Sequence, residues 1–146
     1  MPVTLVQAST IVDVALKTGR EMNLAPLSVA VLDAGGHLVA FKREDRSGIL
    51  RFEIAFGKAW GALGMGFGSR ALFARAAAAP QFFNALHAAS GGRIVTNPGG
   101  VLIRDAAGEV IGAAGISGDT SDNDEACAVA GIAAAGLHAD PGGPNK

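Results

Sequence analysis

The chain has 146 residues, a length typical of one domain with a single hydrophobic core. Apolar residues make up 49% of the sequence and charged residues 17%, which excludes an intrinsically disordered chain. The net charge of −1, the few aromatic residues and the lack of a long uninterrupted apolar stretch indicate neither a nucleic acid partner nor a membrane partner. Because the single cysteine, Cys127, allows no internal disulfide and the N-terminus lacks a signal-peptide pattern, we expect a cytoplasmic protein.

The first elements predicted are a helix and a β-hairpin. Thr4 and Gln7 fit a capping box, and apolar residues recur after it at helical spacing, which predicts a helix over residues 4–22. Two apolar segments, 27–32 and 37–42, flank an Asp-Ala-Gly-Gly turn, and this pattern predicts a β-hairpin.

A second helix is predicted over residues 49–66, and glycines are concentrated on one of its faces. Glycine in a helix interior costs about 1 kcal/mol relative to alanine, so several on one side indicate the close approach of another backbone. That backbone belongs either to the chain's own sheet or to a second subunit. The residues of this glycine face are Gly57, Gly61 and Gly64.

The second half of the chain again predicts helices followed by strands. In chain order, we predict helices over 69–78 and 80–89, a short strand over 93–95, a hairpin over 101–117 and a last helix from 120 or 121 to about 137. Because hairpins are antiparallel, the fold class is α/β of the α+β kind, with a mainly antiparallel five-stranded sheet flanked by helices. The residues from 138 onward are rich in proline and glycine, so we expect one domain over 1–138 and a flexible tail over 139–146.

Four motifs, in one order along the chain, resemble those of a known family. They are VLDAGGHLVAF at 31–41, IAFGKA at 54–59, PGGV at 98–101, and IGAAGISG at 111–118 followed by DNDE at 122–125. Together they resemble the GlcG/HbpS family, the haem-degrading domain family related to the PduO C-terminal domain. The resemblance implies a profilin-like fold and a homo-oligomer, which we expect to be a tetramer or an octamer. The low content of charged residues favours such an assembly, and we predict that it forms through the glycine face.

Haem is a candidate cofactor through the resemblance alone, and the cofactor is otherwise unknown. The resemblance places the haem ligand of PduO-type members on the first helix, which here contains no histidine. The histidines of this chain, His37, His87 and His138, fall at positions that we predict to be on the surface. We therefore predict at most weak haem binding of low specificity.

A basic helix face and an acidic segment supply the candidate functional residues. Arg51 and Lys58 are seven residues apart, so they share one face of the second helix. Lys58 is either a cation facing a small anionic ligand, a general base with a lowered pKa, or an ordinary solvated lysine. The acidic residues at the start of the last helix stabilise its N-terminus in the simplest interpretation. Our site hypothesis places Asp124 instead beside Lys58 and the Gly99-Gly100 loop, facing a substrate.

These residues leave three functions open. The first is a small-ligand-binding oligomer, with haem as one candidate ligand. The second is a catabolic enzyme or accessory protein that acts on a small oxygenated acid by proton transfer, and the third is an oligomeric scaffold without chemistry of its own. We favour ligand binding, because the residues assemble no complete catalytic constellation. The catalytic candidates are Lys58, Asp124 and Glu53; the ligand-binding candidates are Arg51, Asn97, Gly99, Gly100 and Glu125; no metal ligands are predicted, because the acidic residues do not fit a calcium-binding loop.

Overall fold

An antiparallel sheet of five strands organises residues 1–143, the part of the chain that the computed structural model describes. The strands are Ser28–Asp33 (β1), Leu38–Arg43 (β2), Gly100–Arg104 (β3), Val110–Ser117 (β4) and His138–Asp140 (β5), and they lie in the order β2-β1-β4-β3-β5. The helices are Leu5–Glu21 (α1), Arg51–Met65 (α2), Ser69–Ala78 (α3), Pro80–Ala89 (α4) and Ser121–Ala134 (α5). Every neighbouring pair of strands is antiparallel. The predicted fold class and both predicted hairpins are therefore confirmed.

Helices cover both faces of this sheet, with α1 and α5 on one face and α2 on the other. Alternate residues of a strand point to opposite faces, and β3 shows the consequence. Val101 and Ile103 join the core beneath α1 and α5, whereas Leu102 joins the core beneath α2. The predicted capping box begins α1, since the backbone N–H of Gln7 donates to Thr4 Oγ1 over 3.1 Å. Among the described residues, no helix is both long and apolar enough to cross a bilayer.

Glycines in the strands let α2 lie directly on the backbone of the sheet. A Cβ on Gly100 would overlap the carbonyl oxygen of Lys58, and one on Gly115 would overlap that of Ala55. Both strand positions therefore exclude any side chain. This close approach fixes the height and rotation of α2 over β3 and β4, and it carries Lys58 against the sheet.

The glycine face of α2 packs against its own chain at two of its three glycines. A Cβ on Gly57 would overlap the carbonyl oxygen of Arg93, and one on Gly61 would lie 2.7 Å from Ile94 Cγ1. The expectation that this face contacts another subunit is wrong for these two glycines, because the chain's own segment at 93–95 covers them. Of the three glycines of this face, Gly64 alone has open space in front of its Cα.

The fifth strand lies elsewhere than the sequence predicts. Residues 93–95, predicted as a strand, are irregular, and the Val95 N–H donates to the carbonyl of Gly57 in α2 instead of to a strand. The fifth strand is β5, which pairs with β3 at the edge of the sheet and is tied to it by an ion pair between Arg104 and Asp140, 3.0 Å long.

The ordered part of the chain extends beyond the predicted end of the domain at residue 138, because β5 continues to Asp140. The last helix stops at Ala134, before the predicted end at 137, because Gly136 adopts a left-handed conformation (φ 76°) and reverses the chain. The expected tail over 139–146 thus begins in an ordered strand, and Pro141 accepts a hydrogen bond from the Arg70 N–H of α3. Residues 144–146 of that expected tail lie outside the described residues.

Candidate functional site

The buried amine of Lys58 is the centre of the candidate site. Its side chain is 3% exposed, because α2 lies on glycines of the sheet at this point. Lys58 Nζ donates one hydrogen bond to the carbonyl of Ile116 in β4 over 2.8 Å, and another to Asp124 Oδ2 over 3.0 Å. An ammonium group has three N–H donors, so one donor of Lys58 remains for a ligand.

Asp124 is the buried partner of this amine. It lies in the first turn of α5, its side chain is 2% exposed, and its Oδ1 accepts a hydrogen bond from the Asp119 N–H over 3.0 Å. Burial lowers the pKa of Lys58, and the attraction of Asp124 only partly opposes this. Burial likewise raises the pKa of Asp124, against the attraction of Lys58. Both groups are therefore displaced towards their neutral forms, which brings their proton affinities closer together.

A cavity of about 260 Å³ opens beside this pair, where α2, the loop before β3, the end of β4 and the start of α5 meet. At its rim, the Arg51 guanidinium donates to Ser117 Oγ over 3.0 Å. Since Ser117 follows Ile116, Arg51 and Lys58 bind neighbouring residues of one strand. We call this space the Lys58 cavity; it is lined by Arg51, Ile54, Lys58, Val95, Asn97, Ser117, Asp119, Ser121 and Asp124.

The Gly99-Gly100 loop closes the inner side of the pair. Gly99 has φ of 121°, and a Cβ on it would lie 3.0 Å from Lys58 Nζ and 3.2 Å from Asp124 Cβ. Only glycine combines this backbone conformation with such a close approach. The Gly100 N–H donates to Ser69 Oγ over 2.7 Å, which anchors the loop to α3. The structure thus brings together Lys58, Asp124 and the two glycines.

Two candidate carboxylates, those of Glu53 and Glu125, lie away from the Lys58–Asp124 pair. Glu53 is exposed, because on a helix it is rotated by about 200° from Arg51. Glu125 is fully buried, but it faces α3, where its Oε2 accepts from Arg70 Nε over 2.8 Å. Its Oε1 has no hydrogen-bond partner among the described residues. Neither carboxylate belongs to the lining of the Lys58 cavity.

The structure also adds residues that the sequence did not single out as ligand-binding candidates. Ser117, Asp119 and Ser121 line the cavity. They follow one another closely where β4 ends and α5 begins, and polar residues between an apolar strand and a helix could have served as a signal. The oxygens of Asp119 are engaged internally, since they accept from the N–H groups of Ala25 and Thr120 and from Asn123 Nδ2.

In the part of the chain that the structure describes, the histidines, the cysteine and Met65 are not gathered at one site. His37, His87 and His138 are all exposed, as predicted, and none of them lines the Lys58 cavity. Burial raises the pKa of the Cys127 thiol to about 11, so it is protonated and enclosed in the core. Met65 lines an apolar groove of about 190 Å³ with Trp60, Leu86 and Ile94, but no histidine joins it there. Within residues 1–143, no group of three or more His, Cys, Asp or Glu side chains is placed to hold a metal ion.

Comparisons with known proteins agree on one family. The family described as "Haem degrading protein HbpS-like" matches residues 3–133. The crystal structure of a PduOC–haem complex is 25% identical and has a TM-score of 0.84, with 94% of this chain and 97% of that chain covered. The ORFY protein of Klebsiella pneumoniae is 26% identical (TM-score 0.79; coverage 92% and 90%), and HbpS is 27% identical (TM-score 0.78; coverage 91% and 89%). A comparison with curated proteins finds no match.

Proposed function

Because the chain belongs to the HbpS-like family of haem-degrading proteins, we propose that it is a small-ligand-binding protein whose ligand is a small organic anion held in the Lys58 cavity. Membership confirms the resemblance carried by the four sequence motifs. It supports ligand binding in general, since one similar structure is of a complex with haem. The identity of the ligand has to be argued from the cavity itself.

The presence of two cationic side chains in the lining of one open cavity is the observation that carries the proposal. Lys58 and Arg51 both line the cavity, and each keeps N–H donors beyond the bonds described above. Asp119 and Asp124 balance the formal charge of the lining, but both of their oxygens are already engaged in hydrogen bonds within the protein, so the N–H donors of Arg51 and Lys58 remain for an anion. Ser121 stands at the N-terminus of α5, where the helix dipole favours an anion.

The size of the cavity restricts the ligand to a small molecule. At about 260 Å³ the cavity lies below the range of about 300–1,000 Å³ that suits drug-sized ligands. A carboxylate of a few carbon atoms matches both the volume and the charge. Haem would need an apolar slot beside an axial ligand, and the described residues do not provide that combination.

The Lys58–Asp124 pair favours proton transfer as a second candidate function. Two groups whose proton affinities have been brought together can exchange a proton with a bound acid, Lys58 acting as base and Asp124 as acid. Glu53 has no part in this proposal, since it lies on the opposite face of α2. The test is the exchange of the α-hydrogens of a small acid in D2O, followed by proton NMR.

We further propose that the protein is a homo-oligomer. Large apolar side chains remain exposed on a single subunit, among them Ile49 (90%), Leu50 (63%) and Phe82 (54%). Such side chains support an interface on surfaces other than the glycine face, which the chain covers itself at Gly57 and Gly61. An oligomer without any ligand would correspond to the scaffold alternative.

Isothermal titration calorimetry with small anions tests the ligand proposal. We expect lactate to bind and uncharged lactamide not to bind. Arg51→Gln should weaken lactate binding by about tenfold or more, because a charge-assisted hydrogen bond contributes about 1.5–3 kcal/mol. Lys42→Met is the matched control, since Lys42 pairs with Asp13 on the surface away from the cavity. Equal affinities of the wild type and Arg51→Gln, or no heat with any anion, would contradict the proposal.

A further inference from the structure

The amine of Lys58 combines burial with access to a ligand. The other lysines that the structure describes, Lys17 and Lys42, have side chains 76% and 61% exposed, whereas that of Lys58 is 3% exposed and lines a cavity. A desolvated lysine becomes a nucleophile, because its neutral form is favoured and carries a free electron pair. The lowered pKa of Lys58 is consistent with this environment.

We infer that Lys58 forms an imine with the carbonyl group of a small 2-oxo acid. The inference rests on the proposed function, since it names the substrate class of the same cavity. A 2-oxo acid carries its carboxylate and its carbonyl on adjacent carbon atoms. Arg51 and Lys58 bind the neighbouring residues Ser117 and Ile116 of β4 and line one small cavity, so a cation for the carboxylate and an amine for the carbonyl face the same space.

Asp124 is placed to move the protons that the reaction requires. Its Oδ2 lies 3.0 Å from Lys58 Nζ, so it can take a proton from the ammonium group. The neutral amine then attacks the carbonyl carbon; a C–N bond forms, the π electron pair moves to oxygen, and a proton passes from nitrogen to that oxygen. Asp124 returns its proton to the hydroxyl group, which leaves as water while the nitrogen electron pair completes the C=N bond. The products are a protonated imine and one water molecule, and no oxidant or reductant takes part.

The arrangement assigns separate roles to the residues around the amine. Arg51, with Ser117 and Ser121, holds the carboxylate, and the Gly99 backbone leaves room beside Nζ that a side chain would fill. Asp124 is a positioning and proton-transfer residue. Asp124→Asn should slow imine formation by about 10²-fold, the size expected when an acid–base group is lost. It should also shift the pH profile of the trapping rate.

Reductive trapping tests the inference directly. The protein is incubated with pyruvate and cyanoborohydride, and the adduct is located by intact mass and peptide mapping. We expect one reduced pyruvate adduct at Lys58, protected by lactate, retained in Lys42→Arg and absent from Lys58→Arg. Adducts spread over Lys17 and Lys42 without protection by lactate would overturn the inference.

The two proposals fail in different ways. If pyruvate and lactate both bind by calorimetry but no adduct forms at Lys58, the imine is refuted and anion binding stands. If neither acid binds, the proposed function fails as well. Should Lys58→Arg fail to fold, the position of the adduct in the wild-type peptide map decides the matter alone.

Discussion

Removing the charge of Lys58 tests whether the Lys58–Asp124 pair is as enclosed as the structure shows. Lys58→Met keeps the bulk of the side chain but leaves Asp124, 2% exposed, with one hydrogen bond from the Asp119 N–H. Breaking a buried ion pair on one side costs about 3–5 kcal/mol, a large part of the stability of a small domain. Adding Asp124→Asn removes the stranded charge but keeps an oxygen for that N–H. We expect the double variant to recover about 2–3 kcal/mol of the loss, and this recovery added to the loss caused by Asp124→Asn alone is the coupling energy of the pair.

The pH dependence of the stability of Lys58→Met is a second, independent test of the buried pair. Burial already raises the pKa of Asp124, and loss of the neighbouring ammonium raises it further. Between the unfolded pKa of about 3.9 and the raised folded pKa, the folded state binds more protons than the unfolded state. The stability of the variant therefore falls as pH rises through this window, and its deficit relative to the wild type shrinks on acidification.

Urea unfolding, followed by the fluorescence of the single tryptophan Trp60, measures both effects. The wild type, the two single variants and the double variant are compared at about pH 7 and about pH 5, all at one protein concentration so that any self-association contributes equally. An exposed ion pair contributes at most about 1 kcal/mol to the free energy of unfolding. If Lys58→Met lowers the free energy of unfolding by less than this at neutral pH, the pair is not buried. An equal deficit at both pH values would refute the raised pKa of Asp124.

Three further predictions concern packing, haem and assembly. Gly57→Ala should lower the free energy of unfolding by about 1–3 kcal/mol, because its Cβ would overlap the carbonyl oxygen of Arg93. Gly64→Ala, which faces open space in the same helix, should raise the free energy of unfolding by up to about 1 kcal/mol. Equal effects of the two variants in urea unfolding would contradict this packing. A spectroscopic haem titration should show weak binding without a defined axial ligand; a sharp, stoichiometric Soret shift lost in one histidine variant would contradict this. Light scattering should give a mass of at least four subunits, and a mass near 14.6 kDa at micromolar concentration would exclude the oligomer.

Local sequence signals predicted most of the fold. The capping box at Thr4, the two hairpins and the α2 helix all depend on neighbouring residues, so their patterns are visible without tertiary information. The strand β5 has only three residues, and its pairing with β3 stabilises it rather than its own composition. The segment at 93–95 has the apolar composition of a short strand, but tertiary contacts place it on α2 instead of in the sheet.

The site was only partly visible in the sequence. The closeness of Lys58 and Asp124 was hypothesised from motifs that are distant along the chain, and the structure places their side chains 3.0 Å apart. Helix geometry alone places Glu53 on the side of α2 away from Arg51. The pairing of Glu125 with Arg70 could not be predicted, because it depends on how α3 packs against α5.

Mapping of a bound anion by NMR tests the central claim most directly. A ¹⁵N-labelled sample is titrated with lactate, and the amide shifts are followed residue by residue. We predict that the saturable shifts cluster at Gly99, Gly100 and residues 117–121, around the Lys58 cavity. Saturable shifts centred on the groove at Trp60, or none up to millimolar lactate, would contradict the assignment of this cavity as the ligand site.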